Sequence, residues 1–137
     1  MKSLQIAKKT QLTGHNAGIY TLVMDEDNRH FYSGAGEGWV VRWDLEAPEN
    51  GKLVAKVETN IFSLLLLHQQ QQLIAGNMEG GIHWIDLNAP ENTKNIAHHK
   101  KGVYAILHIA SFILRLVAMG SLPNGLLLTC NHWKVSN

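Results

Sequence analysis

The phrase Asp44-Leu45-Glu46-Ala47-Pro48-Glu49-Asn50 returns 42 residues later as Asp86-Leu87-Asn88-Ala89-Pro90-Glu91-Asn92. Self-similarity at a period of this length marks stacked supersecondary units, each unable to bury its apolar face alone. The same offset carries Ile19-Tyr20-Thr21-Leu22 onto Ile61-Phe62-Ser63-Leu64 and then onto Val103-Tyr104-Ala105-Ile106. It also aligns Leu12 with Val54 and Ile96, and Ser33-Gly34 with Ala75-Gly76. These agreements fall in separate parts of the unit, which favours a duplicated unit over coincidence.

Within a unit the apolar runs are short and divided by turn chemistry, a pattern of strands and not helices. Strands are expected at Ile19–Met24, His30–Ser33, Trp39–Trp43 and Lys52–Val57, with breaks at Asp25-Glu26-Asp27-Asn28, at the glycines of 34–38, and at Pro48, Asn50 and Gly51. The second unit predicts Ile61–Leu67, Gln72–Ala75, Gly81–Ile85 and Lys94–Ala97, and a third opens at Val103–His108. Ile19, Leu22, Val23 and Met24, like the run Leu64–Leu67, are apolar without strict alternation. Such strands need cover on both faces, so sheet must stack on sheet repeatedly. The fold class expected is all-β, a partial β-propeller of four-stranded antiparallel blades, about three from a larger ring. A β-sandwich is the alternative, but it does not require a phrase repeated at constant spacing.

Composition narrows the class of protein. The formal charge is +1 with ionic residues interspersed, which leaves no electrostatic footprint for nucleic acid or an anionic membrane. A single cysteine, Cys130, excludes an internal disulfide and suits a reducing compartment. No apolar run approaches a membrane span, and the first residues lack the core of a signal peptide. A soluble cytoplasmic protein is the expectation.

The residues that punctuate the first unit resemble the WD-repeat (Trp-Asp repeat) β-propeller family. Gly14-His15 falls where that family carries Gly-His, Trp43-Asp44 supplies the Trp-Asp pair, and Ser33-Gly34-Ala35-Gly36-Glu37-Gly38 is similar to its Ser-Gly-x-x-Asp-Gly turn. The resemblance spans roughly Leu12 to Val103. It implies a buried relay within the blade, with His15 near Glu37, and Ser33 and the indole N–H of Trp43 completing the chain. His99 aligns with His15 and is expected to serve a later blade. Glu37 and Glu79 stand where the family has aspartate. The second unit departs further: Val57 replaces the histidine, Ala75 the serine, and Ile85 the tryptophan, with Trp84 one position earlier. Apolar packing alone is therefore expected to hold the second blade.

Chemistry at the remaining polar residues is weak. His98 and His99 are adjacent on a strand and point to opposite faces, so they do not chelate one ion together. His83 and His108 lack a Cys, Asp or Glu at ligand spacing. Ser33, Asp44 and His15 could be named as a triad, and Glu37 with Glu79 as a carboxylate pair, yet repeat position already explains all five. No metal, cofactor or catalytic residue is expected. The family's topology implies one rim of turns around Asn16, Gly36, Asn60, Met78, Lys100 and Lys101, and such loops on a rigid scaffold serve binding. The function expected is a protein–protein interaction scaffold. The alternative is a ligand-binding or enzymatic propeller with its site in blades this chain does not contain.

The chain divides into a lead-in with a closing strand at 1–17, repeats at 18–59 and 60–101, the start of a third at 102–113, and an aberrant tail at 114–137. Thr10–Thr13 matches the fourth strand of a blade. Past Phe112 the repeat pattern stops. Reading each codon's last base with the first two of the next permits Thr-Ala-Gly-Gly-Asp-Gly-Val-Phe-Thr-Lys-Trp from Leu114 onward, the missing turn and third strand. A truncated propeller with an out-of-frame tail is the expectation, and its uncovered blade faces predict self-association.

Overall fold

A computed structural model describes residues 3–97, 102–109, 112–117 and 133–134. Eight strands form two four-stranded antiparallel sheets that copy one another. The first contains β1 (Ile19–Met24), β2 (His30–Ala35), β3 (Trp39–Asp44) and β4 (Lys52–Lys56), in that order. The second contains β5 (Ile61–Leu67), β6 (Gln72–Asn77), β7 (Gly81–Asp86) and β8 (Lys94–Ala97). A third sheet pairs β9 (Val103–Ile109) with β10 (Phe112–Val117) and β10 with β11 (Trp133–Lys134). The expected strands are present, several one or two residues longer than their apolar runs because the ladder continues into the turns.

Two expectations differ. Thr10–Thr13 forms no strand, and among the described residues no strand lies beside it to supply ladder partners. And β10 runs to Val117, past the boundary expected after Ile113. Its pairing with β9 (Ile106 opposite Arg115) sits two residues short of the 42-residue register that relates Leu22–Ser33 to Leu64–Ala75. The shorter hairpin explains why the segment fails to align with its counterparts. The remainder of the tail, with any trace of a shifted frame, lies outside the described residues.

The first two sheets enclose Tyr32, Val40, Ile61, Leu64, Leu73, Ala75 and Ile85. The second and third enclose Leu67, Ile74, Ile82, Val103, Ile106 and Ile113. Leu73 and Ala75 of β6 thus point one way and Ile74 the other, which is why the second blade is apolar without alternation. Each fully buried Leu or Ile stabilises the stack by roughly 1.5–3 kcal/mol. Glycine sets the spacing. A Cβ on Gly34 would stand 2.6 Å from Ile61 Cγ2, and one on Gly76 would stand 2.7 Å from Val103 Cγ1. Each blade therefore admits the first strand of the next at backbone distance, and the Ser63 hydroxyl donates across the second joint to the Val103 carbonyl at 2.9 Å. Among the described residues no sheet covers the outer face of β1, where Leu22 and Met24 are exposed.

Candidate functional site

The antiparallel order gathers the turns at two ends. At the upper end lie the lead-in to β1, the β2–β3 turn, the β4–β5 link and the β6–β7 turn. Gly36 N–H donates to Gly18 O at 2.9 Å, and 42 residues on Met78 N–H donates to Asn60 O at 2.9 Å. These bonds tie Gly36 to the lead-in of β1 and Met78 to the β4–β5 link, and Asn16 N–H reaches the Glu37 carboxylate beside the first of them. Asn16 and Met78 are exposed. Lys100 and Lys101, expected on the same rim, and His99, expected in a later relay, lie outside the described residues.

Beneath the rim the structure joins the four first-unit residues in which the family resemblance implied a relay. His15 Nδ1 lies 2.5 Å from Glu37 Oε1, and His15 Nε2 lies 2.6 Å from Ser33 Oγ. Trp43 Nε1–H donates to the same Ser33 Oγ at 2.7 Å. Glu37 can only accept when ionised, so the tautomer that suits it carries its proton on Nδ1. Ser33, which accepts from Trp43, then donates its hydroxyl to Nε2. Burial pushes the Glu37 carboxyl up, but hydrogen bonds from His15 and from backbone N–H groups outweigh it and hold the group below its ordinary value. The longer glutamate does reach the histidine, and also accepts from Asn16 N–H at 3.3 Å. Its Oε2 remains buried without a partner. Asp44 takes no part: at the lower end it receives two bonds from Arg29, at 2.8 and 2.7 Å. Arg29 and the Glu46 N–H hold that carboxyl well below the usual range.

The second blade does not rest on apolar packing alone. Asn77 Oδ1 accepts from Glu79 N–H at 3.0 Å and from Gly81 N–H at 2.8 Å, pinning the β6–β7 turn. Its Nδ2 donates to His83 Nε2 at 2.9 Å, and both side chains are buried. Burial pushes the His83 imidazole below its ordinary value, partly opposed by Glu58. A second unanticipated contact joins the blades at the lower end, where His68 Nδ1 lies 2.7 Å from Asp25 Oδ1.

Three aromatic residues at equivalent positions complete the upper end. In β1, β5 and β9 the pairing skips one residue, opposite Ala35/Gly34, Asn77/Gly76 and Val117/Leu116, so that Tyr20, Phe62 and Tyr104 each occupy a β-bulge. A bulge re-aims its side chain. Here the three rings form a row: Tyr20 meets Phe62 edge-on at 5.2 Å between centroids, and Phe62 stacks on Tyr104 at 5.2 Å. Tyr20 is 55% exposed and Tyr104 52%. Among the described residues no three of His, Cys, Asp or Glu come together as metal ligands would. Among the described residues no helix is long and apolar enough to cross a membrane.

No protein-family model and no curated protein matches the chain. Solved structures do. The WD40 β-propeller domain of Doa1 superposes with a TM-score of 0.68 at 18% identity, over 77% of this chain and 36% of that one. The WD40 repeats of RRP9 superpose at 0.64 and 14% identity, over 90% of this chain and 42% of theirs. A structure of U3-55K gives the same figures, 0.64 and 14%, over 90% and 42%. The fold is therefore that of successive WD40 propeller blades, as the resemblance implied, and the chain spans about two fifths or less of the solved chains it matches.

Proposed function

We propose that the chain is part of a WD-repeat ring scaffold that binds other proteins through its upper rim and catalyses no reaction of its own. The observation that carries this reading is the row Tyr20–Phe62–Tyr104, one aromatic per blade, each at the same bulge, with the two outer rings exposed and Phe62 half-buried between them. Large rigid aromatics on an otherwise well-packed scaffold are the anchors that protein partners use. Asn16, Gly36, Asn60, Met78, Lys100 and Lys101 form the surrounding rim in this reading. His15, Ser33, Glu37 and Trp43 are struts that fix the β2–β3 turn, and His99 plays that part in a later blade. The repeats divide at 18–59 and 60–101, and the single cysteine fits a cytoplasmic protein without disulfides. Nucleic acid and membrane have no part in it.

Affinity capture with proximity cross-linking, comparing three forms of the chain, tests the reading. Tyr20→Ser with Tyr104→Ser should abolish partners that the wild-type chain retains. Arg29→Ala, at the lower end, should keep them. Partners indifferent to the aromatic changes but lost with Arg29→Ala would place binding at the wrong end and overturn the proposal.

A further inference from the structure

Across the lower half of the first blade, one row of directly opposed residues runs Val23, Tyr32, Arg42 and Lys52. Two cations therefore face each other on adjacent strands, an arrangement that destabilises a sheet unless an anion lies between them. The second blade avoids it, since its row reads Leu65, Ile74, Trp84 and Lys94 with a single cation. Arg42 Nε is moreover buried without a hydrogen-bond partner. Arg42 and Lys52 line a cleft of about 160 Å³ between the first two blades, with the Tyr32 side chain beside them and Gln71, Leu87 and Pro90 across from them.

The acids nearby are already engaged. Asp25, at the same cleft, accepts from Glu26 N–H and pairs with His68. Asp44, on the adjoining surface, is held by Arg29 and by Glu46 N–H. Burial raises the Tyr32 phenol above its ordinary value against the opposing pull of Arg42, so the hydroxyl stays protonated and able to donate.

We propose that this interblade cleft binds an oxyanion, a carboxylate or a phosphate group, gripped by the Arg42 guanidinium and the Lys52 ammonium and hydrogen-bonded by the Tyr32 hydroxyl. A planar fork with an open N–H suits either group, and lysine adds a mobile point charge at the mouth. The site lies at the end opposite the aromatic rim and does not depend on what that rim binds.

The test titrates the full isotope-labelled chain with inorganic phosphate and, separately, with acetate, at ionic strength held constant with chloride, while following the Arg42 Nε–H resonance. A saturable shift with either probe supports the site. Saturation with phosphate alone identifies a phosphate group, and saturation with acetate identifies a carboxylate. Lys52→Gln, an exposed change that leaves the packing intact, should weaken binding about tenfold or more, as loss of one charge-assisted contact does. Tyr32→Phe should weaken it by a smaller factor. Arg42→Gln should abolish it, and should that variant not fold, the Lys52→Gln comparison decides. Shifts that grow linearly without saturating for both probes, or an affinity unchanged by Lys52→Gln, would overturn the proposal.

Discussion

Leu22 and Leu64 occupy the same position of successive blades, yet Leu22 is 64% exposed and Leu64 is 8% exposed. The difference is what lies alongside. Leu64 packs against Tyr32 and Val40 of the blade before it, whereas Leu22 faces a side of the stack that no described sheet covers. Leu64→Ala should destabilise the chain by about 2–5 kcal/mol through lost burial and the cavity left behind. Leu22→Gln should change stability by under about 0.5 kcal/mol, because it replaces a surface side chain. If copies of the chain associate through this face, Leu22→Gln together with Met24→Gln should also lower the association. Denaturant titration and sedimentation check the two halves. Equal losses of stability at Leu22 and Leu64 would contradict the assignment of faces.

Ser33 stands between the imidazole of His15 and the indole of Trp43, so its removal orphans two buried groups at once. Ser33→Ala is expected to cost about 1–3 kcal/mol. In a double-mutant cycle with Trp43→Phe, the two losses should fall short of adding, because both break the same bond. The carboxylate at the other end of this chain predicts a pH dependence. Glu37 is held below its ordinary value of 4.5 in the folded chain, so it binds fewer protons there than when unfolded. Its contribution is present above pH 4.5 and is lost as pH falls through the lower folded value. Glu37→Gln should remove that acid-side slope, which denaturation measured from neutral to acid pH would reveal.

Gly38 adopts a φ of +81°, and a Cβ there would stand 2.2 Å from Val57 O. Val57 N–H in turn donates to Gly38 O at 2.8 Å, so the turn and the end of the blade's outer strand are tied at this point. Gly38→Ala is expected to cost more than the roughly 1 kcal/mol of an ordinary glycine replacement, because it must move backbone and not a flexible side chain. Gly18→Ala, where a Cβ meets no atom within 4 Å, is the control and should be nearly silent. Thermal melts of the two variants separate them.

The strands were legible because apolar runs of β-branched and aromatic residues stop at Asp25–Asn28, Gly36–Gly38 and Pro48–Gly51, and local chemistry decides both features. The meeting of His15, Ser33, Glu37 and Trp43 was legible through the family resemblance that Gly14-His15, the Ser33–Gly38 turn and Trp43-Asp44 carry. The aromatic row was half visible: repeat alignment equates Tyr20, Phe62 and Tyr104, but the bulges that aim them belong to the pairing of two strands and leave no mark on one. Asn77 escaped notice because its counterpart is Ala35, and only the closed turn places its amide over His83. Arg42 and Lys52 lie ten residues apart in the chain and become neighbours only once the β3–β4 register is fixed. The strand β10 was missed because a hairpin two residues shorter shifts it out of period.

His83 fills in blade two the position that Val41 fills in blade one, and it does so as a buried neutral base. Its Nε2 accepts from Asn77, so protonation would set a donor against a donor in a site with little water. Burial, partly opposed by Glu58, holds the folded imidazole below the 6.5 at which the unfolded chain protonates. As pH falls through 6.5 the unfolded state takes up a proton that the folded state refuses, and stability declines until the lower folded value is passed. His83→Val should remove this slope between neutral and mildly acid pH, leaving the steeper carboxylate transition below it. Asn77→Ala should cost about 1–3 kcal/mol even at neutral pH, since Glu79 N–H and Gly81 N–H lose their acceptor. A wild-type chain whose stability is flat from pH 7 to pH 5 would mean that the imidazole is protonated in place, and that the Asn77 amide turns its oxygen toward it.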